Sequence, residues 1–306
     1  WQVEAPHHRE RLDKVLSATI SGFSRSYLSQ LVEQGAVLRN GQELRKPSAR
    51  LQAGDTLEIT LRPTPQSQAF VPEAMDLTVA YEDADLLVID KPAGLVVHPA
   101  PGNWSGTLLN GLLAWDARLA ELPRAGIVHR LDKDTSGLML VARSRPAMDA
   151  LVRMIAQRDV RRQYLALAHR PWTGPSPRDV DAAIGRDPAN RLRMAALSAG
   201  STGAKDARTT IELLDNADAA CLVRCTLHTG RTHQIRVHMA SIGHPLLGDT
   251  VYGAPADPRM ARQALHAYRL ALAHPLSGQP LAFASALPMD MQAALSLWGL
   301  RYNPAR

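Results

Sequence analysis

The chain is 306 residues long, with 35 basic and 29 acidic side chains, 45% apolar residues and two cysteines. That length and apolar content bury a substantial core, in one large domain or in a small one beside a larger one, and exclude disorder as the main state. Two cysteines exclude a disulfide scaffold and point to a reducing, cytoplasmic compartment.

The opening WQVEAPHHRE lacks the basic-then-apolar pattern of an export signal. Leu12, Val15, Leu16 and Ile20 recur at helical spacing. Ser24 then starts a second helix with Tyr27, Leu28, Leu31 and Val32 inward and Gly35 at its end. Val37 and Leu38 lead into Asn40-Gly41, a strong hairpin turn, and Leu57, Ile59 and Leu61 alternate as a closing strand. Arg11, Lys14, Arg25, Arg39, Arg45, Lys46 and Arg50 are placed to line one side of this small module and meet phosphates. Residues 63–76, with three prolines and little periodicity, read as an extended linker, so the expected division is 1–62, linker, 77–306.

Beyond the linker, Val79 to Tyr81 and Leu86 to Ile89 are strand-like, and Lys91-Pro92 closes the second run. GLMLVA at 137–142 has a buried-strand pattern. Ser144 reads as an N-cap before a helical face of Met148, Leu151, Val152 and Ile155. RRQYLALAH, IELLD and CLVRCTLHTG follow as strands, with 171–208 a Pro-, Gly- and Asp-punctuated excursion between the first two. Thr232 is expected to cap a short helix, HQIRVHMASI, that Gly243 stops. Runs of strands with occasional helices predict an α+β fold around a mixed, mainly antiparallel sheet. No stretch gives 18 continuous apolar residues, so no membrane span is expected.

Charge is uneven along the chain. Residues 63–123 hold two basic and eight acidic groups, and 124–170 hold ten and four. A cationic block of this kind suits a polyanionic partner. There is no GxxxxGK[ST] loop, no GxGxxG after a strand and no GxSxG elbow. His228, His233 and His238 are spaced by five, which changes face on a helix or a strand, so no metal site and no cofactor are expected. The segment that stands out is GIVHRLDKDTSGLMLVA, 126–142, a polar loop of alternating charge clamped between apolar segments. An acid there can be partly desolvated and still ionised if a cation faces it. Asp132 and Asp134 are the candidates, and spacing prefers neither.

Three segments, HRLDKDTSGL (129–138), RRQYLAL (161–167) and TGRTHQIRVHMASIGHPLLGDTVYG (229–253), resemble the RluA family of pseudouridine synthases. Residues 10–60 resemble the S4 RNA-binding domain. These resemblances imply a pseudouridine synthase fold that converts uridine to pseudouridine in RNA. The order of parts implies 23S rRNA, in the stem-loop of helix 69, as free RNA or a pre-50S particle, and a monomeric enzyme. By position in the motifs, Asp132 corresponds to the catalytic aspartate, Tyr164 to a tyrosine that packs on the target base, and Arg236 to an arginine that salt-bridges the aspartate. Arg130 corresponds to the residue that replaces the flipped base. His129, with a structural role expected of it, Ile235 and Arg231 fall beside these and, with Lys91 of the segment KPAGLVVHPAPGNWSGTLLN, are expected at the substrate, while Arg11, Lys14, Arg25, Arg39 and Lys46 are expected on RNA in the S4-like module. Two other readings remain open: a glycosidase that excises uracil from RNA, and a catalytically silent RNA-binding factor of ribosome assembly.

Overall fold

The computed structural model describes residues 1–20, 23–61, 65–190, 193–198 and 200–304. The chain divides into two compact units, Trp1–Ala69 and Phe70–Arg306, and the division falls inside the segment read as a linker. That segment is not extended throughout. Pro65–Phe70 coil into a 3-10 helix, because a proline's fixed φ suits the first turn of a helix as well as an extended chain.

In the first unit, α1 (Leu12–Thr19) and α2 (Arg25–Glu33) bury Leu12, Val15, Leu16, Leu28, Leu31 and Val32 in one cluster. Ser24 caps α2, its Oγ accepting the Tyr27 N–H at 3.2 Å. β1 (Val37–Arg39) and β2 (Gln42–Glu43) form a hairpin around Asn40 and Gly41, with φ of 51° and 80°, the paired positive φ of a type I′ turn. β3 (Leu57–Ile59) pairs antiparallel with β1. The strand stops there and Leu61 is exposed. Once Thr60 N–H reaches Ala36 O, the partner backbone has run out, since β1 starts at Val37.

The second unit is built on one sheet. Its strands are β4 (Thr78–Glu82), β5 (Leu86–Lys91), β6 (Ser136–Ala142), β7 (Arg161–His169), β8 (Arg178–Asp181), β11 (Arg208–Asn216), β12 (Ala220–Leu227), β13 (Leu265–Ala273) and β14 (Pro280–Ala284). The short hairpin β9 (Ala183–Arg186) and β10 (Met194–Leu197) stands apart from it. The order across the sheet is β4-β5-β6-β13-β7-β12-β11-β8, with β14 also on β13. Among these pairs only β6–β13 is parallel, which gives the mixed, mainly antiparallel sheet read from the sequence. The excursion at 171–208 contributes β8, β9 and β10. Four-residue strands with polar positions carry too short a period to be read.

Both faces of the sheet are covered, which explains the unbroken apolar runs of β5, β6 and β7. On one face, Leu87, Ile89, Met139, Val141, Tyr164 and Ala166 pack with α3 (Leu108–Trp115) and with Ile235 and Met239 of α5 (Gln234–Ser241). On the other, Leu86, Val88, Leu138 and Leu140 meet α4 (Arg145–Gln157), and Leu165, Leu167 and Leu222 meet α6 (Met289–Leu297). Ser144 caps α4 as expected, accepting from Ala147 N–H. Thr232 does not cap α5. That position falls to His233, at φ 57°, in the left-handed region. The loop is ordered instead by the Gln234 side chain, which accepts from Thr229 Oγ1 (2.7 Å) and Arg231 N–H (3.0 Å).

Candidate active site

The loop 128–135 enters β6 on the face that carries α3 and α5, and its backbone is held carbonyl by carbonyl. Thr135 N–H returns to Asp132 O at 3.1 Å, and Gly94 N–H reaches Lys133 O at 2.9 Å. Arg262 Nη1 donates to Asp134 O at 2.9 Å. Lys91, expected to touch substrate, is fully buried and donates to Pro92 O (2.7 Å), Leu95 O (2.9 Å) and Lys133 O (2.9 Å). All three ammonium protons are used within the protein, so Lys91 braces the loop from beneath and cannot meet a ligand. Burial pushes Lys91 down to about 8, against the pull of Asp134 and Asp132. Gly137 brings β6 close to β13. It has φ +113°, and a Cβ there would stand 2.3 Å from Ala267 O.

This frame separates the two candidate acids. Asp132 accepts from Arg236 Nη1 at 3.2 Å, and its side chain keeps 15% exposure. Arg236 sits on α5, 5% exposed. Its other edge is gripped by a residue the sequence reading did not single out: Asp249, 2% exposed, which takes Arg236 Nε at 2.7 Å and Nη2 at 2.9 Å in a bidentate fork. Burial alone would lower the arginine's pKa, but the hydrogen bonds and charge of Asp249, then of Asp132, raise it above the ordinary value. The guanidinium is thus fixed both in charge and in aim.

His233 and Tyr252 complete the wall. His233 Nε2 lies 3.8 Å from Asp132 Oδ1, and its Nδ1 is 2.8 Å from the Tyr252 hydroxyl. That hydroxyl also accepts the Met194 N–H of β10 at 3.0 Å, and the Tyr252 ring lies under the Arg236 guanidinium, 5.0 Å from its centroid. Burial lowers the His233 pKa, with Asp132 opposing and Arg236 and Arg130 assisting, so at neutral pH the imidazole is uncharged. The other two histidines of the trio go elsewhere: His228 to Thr210 Oγ1, and His238 to Thr209 Oγ1 and Ala182 O.

Tyr164, on β7, packs in the same cluster as Ile235 and Leu131. Burial, with Asp132 adding to it and Arg162 opposing, pushes its hydroxyl up to about 12, so it holds its proton. Arg130 is exposed. Burial first, then the charges of Arg124 and Arg130, push nearby His98 down to about 4. His129 is engaged by the backbone of β6. Its Nε2 accepts the Leu140 N–H at 2.9 Å, its Nδ1 is buried without a partner, and burial with Arg162 pushes it down to about 3. It is a neutral structural residue rather than a ligand contact. Ile235 is buried in the apolar cluster beside Tyr164, and Arg231 donates from Nε to Asp206 O at 2.9 Å.

In the first unit the expected RNA cations are largely engaged with acids. Arg11 and Arg25 converge on Asp13 at 3.0 and 2.8 Å, Lys14 meets Glu10 at 2.7 Å, and Arg39 meets the buried Asp55 at 2.8 Å. Arg11, Lys14 and Arg25 keep 46%, 62% and 53% of their side chains exposed, whereas Arg39, at 25%, is tied into the fold. Lys46 is exposed.

A partly exposed carboxylate steadied by an arginine, near a buried tyrosine, is an arrangement able to act as a nucleophile or a base. A family model described as RNA pseudouridylate synthase matches residues 85–241, and one described as the S4 domain matches 10–57. The chain is 47% identical over 300 residues to ribosomal large subunit pseudouridine synthase D of Neisseria meningitidis serogroup A, covering 94% of this chain and 78% of that one. It is also 47% identical over 295 residues to the protein of the same name from Nitrosomonas europaea, covering 93% and 83%. The solved structure of human RNA pseudouridylate synthase domain containing 4 matches with a TM-score of 0.58 at 25% identity, over 74% of this chain and 94% of that one. The chain belongs to the RNA pseudouridylate synthase family, an isomerase family, and carries an S4 domain ahead of the catalytic unit.

Proposed function

We propose that this enzyme isomerises uridine in 23S rRNA of the large ribosomal subunit, with the stem-loop of helix 69 as its target and Asp132 as the reacting group. The observation that carries the assignment of Asp132 is its position: of the two acids in the loop, both partly exposed, it is the one that meets Arg236. Isomerisation breaks the C1′–N1 bond, turns the uracil, joins C1′ to C5 and removes the C5 proton. An ionised Asp132 serves either as nucleophile at C1′ or as base at the 2′ carbon. Arg236 steadies its charge. Tyr164 offers a ring face to the uracil and a protonated hydroxyl near its edge. Arg130 fills the space the base leaves, offsetting an unstacking cost of a few kcal/mol, a role that its exposure two residues before Asp132 supports. The S4 domain adds affinity through phosphate contacts, with RNA as the partner and a single chain as the working unit in the cytoplasm.

The test is tritium release from RNA labelled at uracil C5. Wild type should release label and Asp132→Asn should release none. Retention of label by wild type would sink the isomerase assignment, and equal release by the variant would remove Asp132 from its role. An abasic product in place of one with unchanged mass would make the enzyme a uracil-excising glycosidase.

A further inference from the structure

Beside Tyr164 lies a charge that the chemistry above does not use. Arg162 precedes Tyr164 by two residues on β7, and the register against β12 is unbroken there, with Leu227 opposite Arg162 and Cys225 opposite Tyr164. Strand alternation therefore sends both side chains to the same face of the sheet, the one that carries the site. Arg162 is 5% exposed. Its Nε is buried without a partner, and among the described residues its guanidinium makes no hydrogen bond or ion pair. A Cβ added to Gly230 would stand 2.9 Å from Arg162 Nη1, so the guanidinium lies against the 228–233 loop that leads into α5 and Arg236. Its charge is felt at both Tyr164 and His129.

The other buried cations of this unit are satisfied. Lys91 has three carbonyl acceptors, and Arg236 has two carboxylates. A desolvated guanidinium with no acceptor is costly in the free protein. Its planar fork is matched to an anion that arrives from outside, and RNA brings one such anion per nucleotide. We infer that Arg162 receives a phosphodiester of the substrate strand adjoining the uridine that lies on Tyr164. It is a substrate-binding residue on the face of the sheet that carries Tyr164. The inference rests on the RNA isomerase reading given above and names a phosphate contact within it.

The experiment is steady-state tritium release from C5-labelled RNA over a series of salt concentrations, for wild type, Arg162→Met and Gly230→Ala, with melting temperatures measured without RNA. Arg162→Met should melt no lower than wild type, because it removes an unpaired buried charge. Its KM should rise about tenfold or more with kcat changed far less, and the slope of log(kcat/KM) against log salt should become shallower by about 0.7, the share of one single-strand phosphate. Gly230→Ala crowds the guanidinium from the loop side and should raise KM in the same direction. A lower melting temperature with unchanged KM in Arg162→Met would make the residue structural and overturn the inference. An unchanged salt slope with reduced kcat would place the guanidinium on the uracil and overturn it as well. If Arg162→Met does not fold, Gly230→Ala decides alone, an unchanged KM being the refuting result. Wild type that releases no label would defeat the isomerase reading itself, whereas a null effect confined to the variants defeats only the phosphate contact.

Discussion

Asp249→Asn tests whether the reacting carboxylate is governed from behind. Arg236 is held by two bonds to Asp249, at 2.7 and 2.9 Å, and by one to Asp132, at 3.2 Å. Asn at 249 retains one acceptor but turns an N–H toward the other guanidinium nitrogen. One fork bond is lost and a buried cation is left short of half its counter-charge. Breaking a buried pair in this way costs about 3 kcal/mol, which for a unit of this size lowers the melting temperature by roughly 6–12 °C. Released from the fork, the guanidinium swings toward its remaining anion, Asp132. A displacement of about 1 Å at a reacting group costs on the order of 100-fold in rate. Single-turnover tritium release and thermal melts read both quantities. The decisive comparison uses Arg236→Met as background. There Asp249 is itself an unpaired buried acid, so Asp249→Asn should raise the melting temperature and cost no further activity. Equal rate losses from Asp249→Asn in the two backgrounds would refute the proposition that Asp249 acts through Arg236.

Three further outcomes follow from the frame around the loop. His129 is neutral in the folded protein down to about pH 3, whereas in the unfolded chain it takes up a proton below about 6.5. Stability is therefore lost as pH falls through this window, by about 2 kcal/mol at pH 5 from this group alone. Denaturation midpoints at pH 7 and 5 should lie closer together in His129→Gln than in wild type, and an identical gap would contradict the assignment. Lys91→Met strands the carbonyls of Pro92, Leu95 and Lys133. It should cost about 2–3 kcal/mol in chemical denaturation together with most of the tritium-release activity, and full activity would show that the brace does not position Asp132. Gly137→Ala places a methyl 2.3 Å from Ala267 O and should lose more than about 3 kcal/mol. Gly253→Ala, also at positive φ (+97°) but with nothing within 4 Å, should lose about 1 kcal/mol, as paired melts would show.

What could be read in the sequence was periodic or local. The α1–α2 module, the Asn40-Gly41 turn, β6, β7 and the Ser144 cap each depend on residues within a few positions of one another. The helix α3 was not read. Its capping box pairs Thr107 with an asparagine, Asn110, and Gly111 interrupts it, although that glycine makes room for Met75, whose sulfur would stand 2.4 Å from a Cβ there. Lys91, expected at the substrate by resemblance alone, is enclosed by backbone carbonyls instead. The acceptors that enclose it include Lys133 O, 42 residues away, which no local pattern reveals. Asp249 had a usable signal, a lone acid in the apolar run HPLLGDTVYG, where burial demands a cationic partner.

The choice between Asp132 and Asp134 shows what spacing cannot carry. The two lie on one loop and both use a backbone carbonyl there, but among the described residues only the Asp132 carboxylate has an arginine partner. Asp134 gives its backbone carbonyl to Arg262, and Asp132 turns its carboxylate to an arginine 104 positions later. The second acid behind that arginine gives the arrangement its purpose. A single Arg236–Asp132 pair would be electrically neutral, and a tight fork between them would occupy the carboxylate oxygens a reaction needs. Because Asp249 takes Nε and Nη2, only Nη1 is left for Asp132, at the longer distance of 3.2 Å. With His233 held neutral by burial, the three charges sum to one negative. The carboxylate is oriented without being quenched, and that surplus charge is what either route, attack at C1′ or removal of the 2′ proton, has to draw on.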